Sequence, residues 1–175
     1  MKFAHYLLLF LAFAIIACNS KSEKAVQDIQ KTKLLAFTDT VQLDTFKVVL
    51  LGQESKDMKL SFTITTQEGE QVYKKEIMAE ELFNSYLPKA DFKNEDKKIK
   101  FLTNEINFFF EEEHYLIPAI TEQEKHNNNF PDKSFYEELK ASQLNGFSYR
   151  VGKDINIYIA WSAKDKKVKI YYRCC

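Results

Sequence analysis

Glycine, proline and cysteine are scarce in this sequence, and their scarcity excludes several specialised scaffolds. The chain contains four Gly and three Pro, too few for a fibrous protein or for a Pro- and Gly-rich disordered one. Three Cys cannot supply a dense disulfide framework. An excess of one charge is also lacking, because 25 Lys and Arg balance 25 Asp and Glu. A neutral chain has no overall field that attracts nucleic acid, so we expect no nucleic-acid partner.

One apolar run lies at the N-terminus. Residues 3–17 are apolar apart from His5, and the only preceding charge is Lys2. The run is shorter than the ~20 residues that a membrane-spanning helix needs, and a polar, charged segment follows it at once. An export signal typically has a basic N-terminus, an apolar stretch of about 7–15 residues and a small residue before the cleavage site. A buried N-terminal helix is the alternative interpretation.

The run ends in Ile15-Ile16-Ala17-Cys18, which resembles the lipobox of bacterial lipoproteins. The resemblance covers only these first eighteen residues, and it implies cleavage before Cys18. The Cys18 thiol would then carry a diacylglycerol, and the new amine a further acyl chain such as palmitate. Several acyl chains together anchor a protein stably, whereas one chain binds a membrane only marginally. In the sorting rule of such lipoproteins, Asn19 in place of Asp favours the outer membrane.

These features divide the chain into three parts. Residues 1–17 are predicted to be the signal peptide, and residues 18–33, which are polar and charged, a tether between lipid and domain. Residues 34–175 are predicted to form a single domain, which is a normal length for one hydrophobic core. We expect a cell-envelope location, lipid-anchored, at the outer membrane.

Alternation of apolar and polar residues predicts two β-hairpins. Met58 to Thr65 alternates cleanly, Gly69 supplies a turn, and Gln71 to Met78 returns as a partner strand whose charges suit a sheet edge. Ile155 to Trp161 and Val168 to Tyr172 alternate about a second short turn, so we expect an antiparallel pair.

Two segments have helical signals. Residues 79–87 place apolar side chains at helical spacing before Pro88. Residues 131–145 contain a Ser134-x-x-Glu137 capping box and are followed by Gly146. Between the two helices, residues 89–98 read as a charged connector, and residues 99–102 and 105–115 as extended.

Strands joined by short turns, with two helices, predict an α+β fold: a mostly antiparallel sheet with both helices packed on one face. A β-sandwich with peripheral helices is the alternative.

The outward face of the last hairpin is the predicted binding surface. Tyr and Arg are enriched at interfaces because a large amphipathic side chain buries much area at a small entropic cost. The alternative is that these tyrosines pack under the helices, so that the sheet is buried on both sides. The residues assigned to this face are Asn156, Tyr158, Lys167, Lys169, Tyr171 and Arg173.

Few residues offer catalytic or metal-binding chemistry. Glu111 and His114 have the i, i+3 spacing of di-iron helices, but the motif occurs once, and on a strand the two would point to opposite faces. His126 is read as a solvated loop residue. We therefore assign no catalytic residue, metal or cofactor.

Cys174 and Cys175 are adjacent, and adjacent cysteines can pair with each other only through a strained ring. The alternatives are pairing with another chain or two free thiols at the end of the chain.

From these features we predict that the protein is a lipid-anchored, non-enzymatic binding or accessory module. Its expected partner is an envelope protein or a glycan. Two alternatives stay open: an inhibitor or immunity-type protein against a toxin or hydrolase, and a cell-wall or glycan hydrolase. A hydrolase requires a cleft with at least two convergent carboxylates, or one carboxylate beside His114 or His126.

Overall fold

A computed structural model describes residues 25–87, 91–127 and 130–174. The predicted signal peptide, Cys18 and Cys175 lie outside these ranges. Within them, no helix combines the length and the apolar character that crossing a membrane requires.

The first sheet is antiparallel, and its strands lie in chain order. It comprises β1 (Ala25–Ala36), β2 (Leu43–Leu51), β3 (Lys59–Thr65) and β4 (Gln71–Met78). The predicted hairpin is confirmed, and β4 is an edge strand as its charges indicated.

The second sheet is also antiparallel and in chain order. It comprises β5 (Tyr115–Leu116), β6 (Gly146–Arg150), β7 (Asn156–Ser162) and β8 (Lys167–Cys174). The terminal hairpin is confirmed as β7 and β8, and β8 is an edge strand of this sheet.

Within the described ranges, three α-helices accompany the sheets: α1 (Ala79–Tyr86), α2 (Glu95–Phe108) and α3 (Lys133–Ser142). A single 3-10 turn, Glu112–His114, precedes β5. The predictions of α1 and α3 are confirmed. The α+β class with mostly antiparallel sheet is confirmed too, although the described residues form two sheets and three helices instead of one sheet and two helices.

The prediction for residues 95–108 was wrong, because helix α2 occupies that segment. Asn94 caps it, its side-chain oxygen accepting a hydrogen bond from the backbone N–H of Lys97 at 3.0 Å. Leu102 and Ile106 are buried one turn apart on its inner side. The helix therefore has an ordinary N-terminal signal and an ordinary apolar stripe.

The predicted cap of α3 was also wrong. Asp132, two residues before Ser134, is the N-cap, and its carboxylate accepts from the Phe135 N–H at 3.0 Å. Gln143 ends the helix in the left-handed conformation, with φ of 54°, and its N–H donates to the Leu139 carbonyl. Gly146 lies in β6 and does not end the helix.

The tether prediction needs a similar correction. The structure places Ala25 to Lys33 in β1, where residues 30–36 pair in register with residues 43–49 of β2. Strand pairing satisfies the backbone groups of this polar segment, which the side-chain pattern did not indicate. The rest of the predicted tether, residues 18–24, lies outside the described residues.

The two sheets face each other across one large core that α1 and α2 complete. Aromatic rings from both sheets meet at its centre: Phe46 and Phe147 have centroids 5.2 Å apart, and Phe62 and Tyr149 5.4 Å. A second, smaller core lies on the other face of the second sheet, under α3. The second sheet is thus covered on both faces.

Candidate functional site

The second core opens into a groove, here called the tyrosine groove, on the face of β7 and β8 that is turned away from the first sheet. Its volume is about 310 Å³. The far wall comes from the segment between β5 and α3, where the Ile117–Pro118 peptide bond is cis. The groove is lined by Leu116, Pro118, Ala119, Thr121, Glu124, Asn127, Phe130, Tyr158, Tyr171 and Tyr172.

A β-bulge places three tyrosines in this groove. Tyr158 pairs with Tyr172, and Ile159 pairs with Ile170, so Tyr171 is an extra residue without a partner on β7. An extra residue breaks the alternation of faces. As a result, Tyr171 and Tyr172 are on the same side of the sheet, and both stack against Phe130, with centroids 6.3 Å and 5.4 Å away.

Two of the three tyrosine side chains are partly exposed in the groove, and the third is buried. Tyr158 and Tyr172 are half-buried, with ring centroids 5.0 Å apart. Tyr171 is only 5% exposed, and its hydroxyl donates to the Ala119 carbonyl at 3.3 Å. Burial raises the pKa of the Tyr171 hydroxyl, so it stays protonated at neutral pH. The groove thus has an aromatic floor that is itself anchored in the core.

Polar groups line the opposite wall. The Glu124 carboxylate accepts from the Thr121 N–H at 3.4 Å, and the exposed Asn127 adds an amide. The carbonyl of Glu124 is fixed by the Tyr136 hydroxyl at 2.6 Å and the Lys140 ammonium at 2.9 Å. Helix α3, which carries both of these donors, therefore positions the polar wall opposite the tyrosines.

The residues assigned to one binding surface lie in four places. Tyr158 and Tyr171 meet in the tyrosine groove, with centroids 6.2 Å apart. Lys169 bridges Asp132 and Asp165 at 2.8 and 3.0 Å, over the ring of Phe135.

Arg173 and Asn156 lie away from the groove. The bulge puts Arg173 on the opposite face of β8, beside Ile157, and it lines another cleft. Asn156 is half-buried at the start of β7, paired with Cys174. The prediction that Tyr171 is exposed was wrong, because its side chain is only 5% exposed and lies in the second core.

The weak metal candidates do not converge. Glu111 precedes the 3-10 turn, and its carbonyl accepts from the His114 N–H at 3.0 Å. Nδ1 of His114 lies 3.0 Å from the Phe109 carbonyl, and Nε2 lies 3.6 Å from Glu113. Across the described ranges, no three His, Cys, Asp or Glu residues form a group that could hold a metal ion.

His126 and Cys174 occupy defined positions. His126 is half-buried rather than solvated, with Nε2 3.2 Å from the Phe130 carbonyl and its ring 5.1 Å from that of Tyr136. Cys174 is a half-buried free thiol at the end of β8. Its pairing with Cys175 stays a prediction, because Cys175 is outside the described residues.

A separate cavity, of about 730 Å³, lies between α1, the start of α2 and the loop after β2. Its charged groups largely neutralise one another: Lys98 contacts Glu95 and the Ser55 hydroxyl, and Lys97 pairs with Asp91. We therefore regard the tyrosine groove as the better candidate site. No family model, curated protein or solved structure matches this chain.

Proposed function

We propose that this protein is a lipid-anchored binding module of the bacterial cell envelope, and that the tyrosine groove holds a sugar residue of a glycan. The observation that carries the proposal is the facing of an aromatic floor and a polar wall across a groove of about 310 Å³. Anchoring rests on the resemblance of Ile15-Ile16-Ala17-Cys18 to a lipobox.

The chemistry of the two walls favours a sugar ring. One face of a pyranose carries C–H groups, which pack on the electron-rich face of an aromatic ring such as Tyr158 or Tyr172. The hydroxyls at its rim need donors and acceptors, and Glu124, Asn127 and Thr121 offer a carboxylate, an amide and a hydroxyl.

The size of the groove points the same way. Small-ligand sites begin at about 300 Å³, which suits one or two sugar rings. A stable protein partner would instead cover roughly 800 Å² on each side, far more than a groove of this size provides.

The groove is tested by titrating the full chain, in detergent micelles, with soluble mono- and disaccharides that include N-acetylhexosamines. We expect saturable binding of at least one sugar, and Tyr172→Ala should weaken it about two- to tenfold, the worth of one aromatic contact. Tyr86→Ala, a half-buried tyrosine on α1 outside the groove, is the matched control. Equal losses in both variants, or no saturable binding by any sugar, would contradict the glycan proposal.

The anchor is tested separately with Cys18→Ala. This variant has no thiol to acylate, so it should leave the membrane fraction on cell fractionation. Membrane partitioning equal to that of the parent chain would refute lipidation at Cys18 without bearing on the groove.

A further inference from the structure

A second cleft, of about 380 Å³, opens where the edge strands β4 and β8 approach each other. It lies on the core side of the second sheet, so it is separate from the tyrosine groove. The residues that matter here are Tyr73, Lys75, Tyr149, Ile155, Ile170 and Arg173.

The strand pattern explains why these side chains are not covered. Tyr73 and Lys75 are two residues apart on β4 and share the face that points toward the core. Ile170 and Arg173 share the corresponding face of β8 because of the bulge at Tyr171. No strand lies beyond β4 or β8 in either described sheet, so the two sheets leave a gap at these edges.

At the base of the cleft, two tyrosine hydroxyls bond to each other. The hydroxyl oxygens of Tyr73 and Tyr149 are 2.6 Å apart, and Tyr149 is 1% exposed. Two hydroxyls carry two hydrogens, and their mutual bond uses one. No described group accepts the other hydrogen, which leaves one donor for a ligand.

Two cationic side chains, Lys75 and Arg173, lie at the rim of the cleft. Neither Lys75 nor Arg173 forms an ion pair within the described ranges, and the charge of Arg173 acts on the Tyr149 hydroxyl. Glu81 also lines the cleft, so the three charges sum to plus one. A single negative charge complements this rim.

The wall is apolar. Ile155 and Ile170 are 43% and 44% exposed, which is high for large aliphatic side chains beside a core. Ile157 continues the wall inward and is 2% exposed. Covering the two exposed isoleucines would remove apolar surface from water, and this favours an aliphatic ligand body.

We propose that this cleft binds a small aliphatic monocarboxylate. The carboxylate lies between Lys75 and Arg173 and accepts the spare tyrosine hydrogen, while the aliphatic body covers Ile155 and Ile170. This site does not depend on the sugar proposal, and either one can fail alone.

The test is a titration of the full chain, in non-ionic detergent and with labelled isoleucine methyl groups, against hexanoate and against hexanamide. Hexanoate should shift the Ile155 and Ile170 methyl signals saturably, and hexanamide, which has the same body and no charge, should bind at least about fivefold more weakly. Ile117, which is 70% exposed and does not line the cleft, should not shift.

Arg173→Gln should reduce the affinity for hexanoate to that for hexanamide. Lys167→Gln, on the same strand but outside the cleft, is the matched control and should bind as the parent does. Equal affinity for the two probes, equal behaviour of the two variants, or no saturation below about 10 mM would overturn the proposal. Thermal unfolding of each variant verifies that it is folded.

Discussion

Glu105 on α2 and Arg150 at the end of β6 form an ion pair in which the carboxylate and guanidinium are 3.6 Å apart. The Glu105 side chain is 12% exposed, and the Arg150 side chain 35%. This separation is longer than a strong charge-assisted hydrogen bond. Burial therefore outweighs the attraction, and the pKa of Glu105 is raised despite the nearby arginine. The charged form of Glu105 is a cost to the fold.

Glu105→Gln should stabilise the protein at neutral pH. The pKa of Glu105 is higher in the folded protein than in the unfolded chain, so protonated Glu105 favours the folded state. Its contribution to the free energy of unfolding is complete below the pKa in the unfolded chain. That contribution is lost as the pH rises through the pKa in the folded protein. Gln keeps the shape without the charge, so we expect a small gain in stability at pH 7 and little change near pH 4. Urea unfolding at both pH values measures the difference.

Glu76→Gln is the control of opposite sign. Ion pairs with Lys74 at 2.9 Å and Lys59 at 3.1 Å lower the pKa of Glu76. The Glu76 carboxylate therefore contributes to the free energy of unfolding above its pKa in the unfolded chain, and this contribution is lost as the pH falls. Glu76→Gln should be slightly less stable than the parent chain at pH 7 only. If both variants shift stability in the same direction at pH 7, the argument from burial is incorrect.

The periodicity of apolar residues along the sequence predicted those strands and helices in which buried and exposed side chains alternate regularly. The β7–β8 hairpin and α1 were found in this way. Helix α2 was missed because Phe108, Phe109 and Phe110 suggested a strand. The Asn94 cap, followed by Glu95 and Asp96, was the signal that could have identified it.

The candidate site was predictable only in part. Alternation correctly placed Tyr158 and Tyr171 on the same face of the sheet. It could not reveal the bulge, because an extra residue leaves no mark in the apolar pattern. The bulge moved Arg173 to the other face and brought Tyr172 into the groove. Phe130 and Glu124 come from a loop, and their position depends on tertiary contacts that no local rule specifies.

Asp132→Ala should destabilise the protein by removing the N-cap of α3. The carboxylate accepts from the Phe135 N–H at 3.0 Å and from the Lys169 ammonium at 2.8 Å. Losing such a cap costs ~1 kcal/mol. Asp132→Asn keeps an acceptor for the N–H and should lose less. Urea unfolding of both variants at pH 7 ranks them.

The same cap predicts a pH dependence. Hydrogen bonds from Lys169 and from the Phe135 N–H lower the pKa of Asp132. Its contribution is therefore present above the unfolded pKa and declines as pH falls through the folded pKa. The difference between the parent chain and Asp132→Ala should shrink toward pH 2 to 3, an acid range below the ordinary pKa of about 3.9. A constant difference from pH 7 to pH 2 would contradict an ionised cap.

Gly146→Ala should destabilise the floor of the tyrosine groove. A Cβ at Gly146 would lie 2.9 Å from the Tyr171 hydroxyl and 3.0 Å from Cβ of Ala119. Overpacking of this kind costs ~1–3 kcal/mol. Tyr171→Phe alone should cost about 1 kcal/mol, the worth of its hydrogen bond to Ala119. Urea unfolding of the two single variants measures both costs.

The two changes should not add, because Tyr171→Phe removes the oxygen that the new methyl group would meet. We expect the cost of Gly146→Ala to be smaller by ~0.5 kcal/mol or more when Tyr171→Phe is also present, a coupling typical of residues in contact. The contact with Ala119 remains, so the cost should not vanish. Gly69→Ala, at a turn with φ of 90° and open space around it, should cost the same with and without Tyr171→Phe. Additive costs for Gly146 and Tyr171 would show that the hydroxyl is not what excludes a side chain at Gly146.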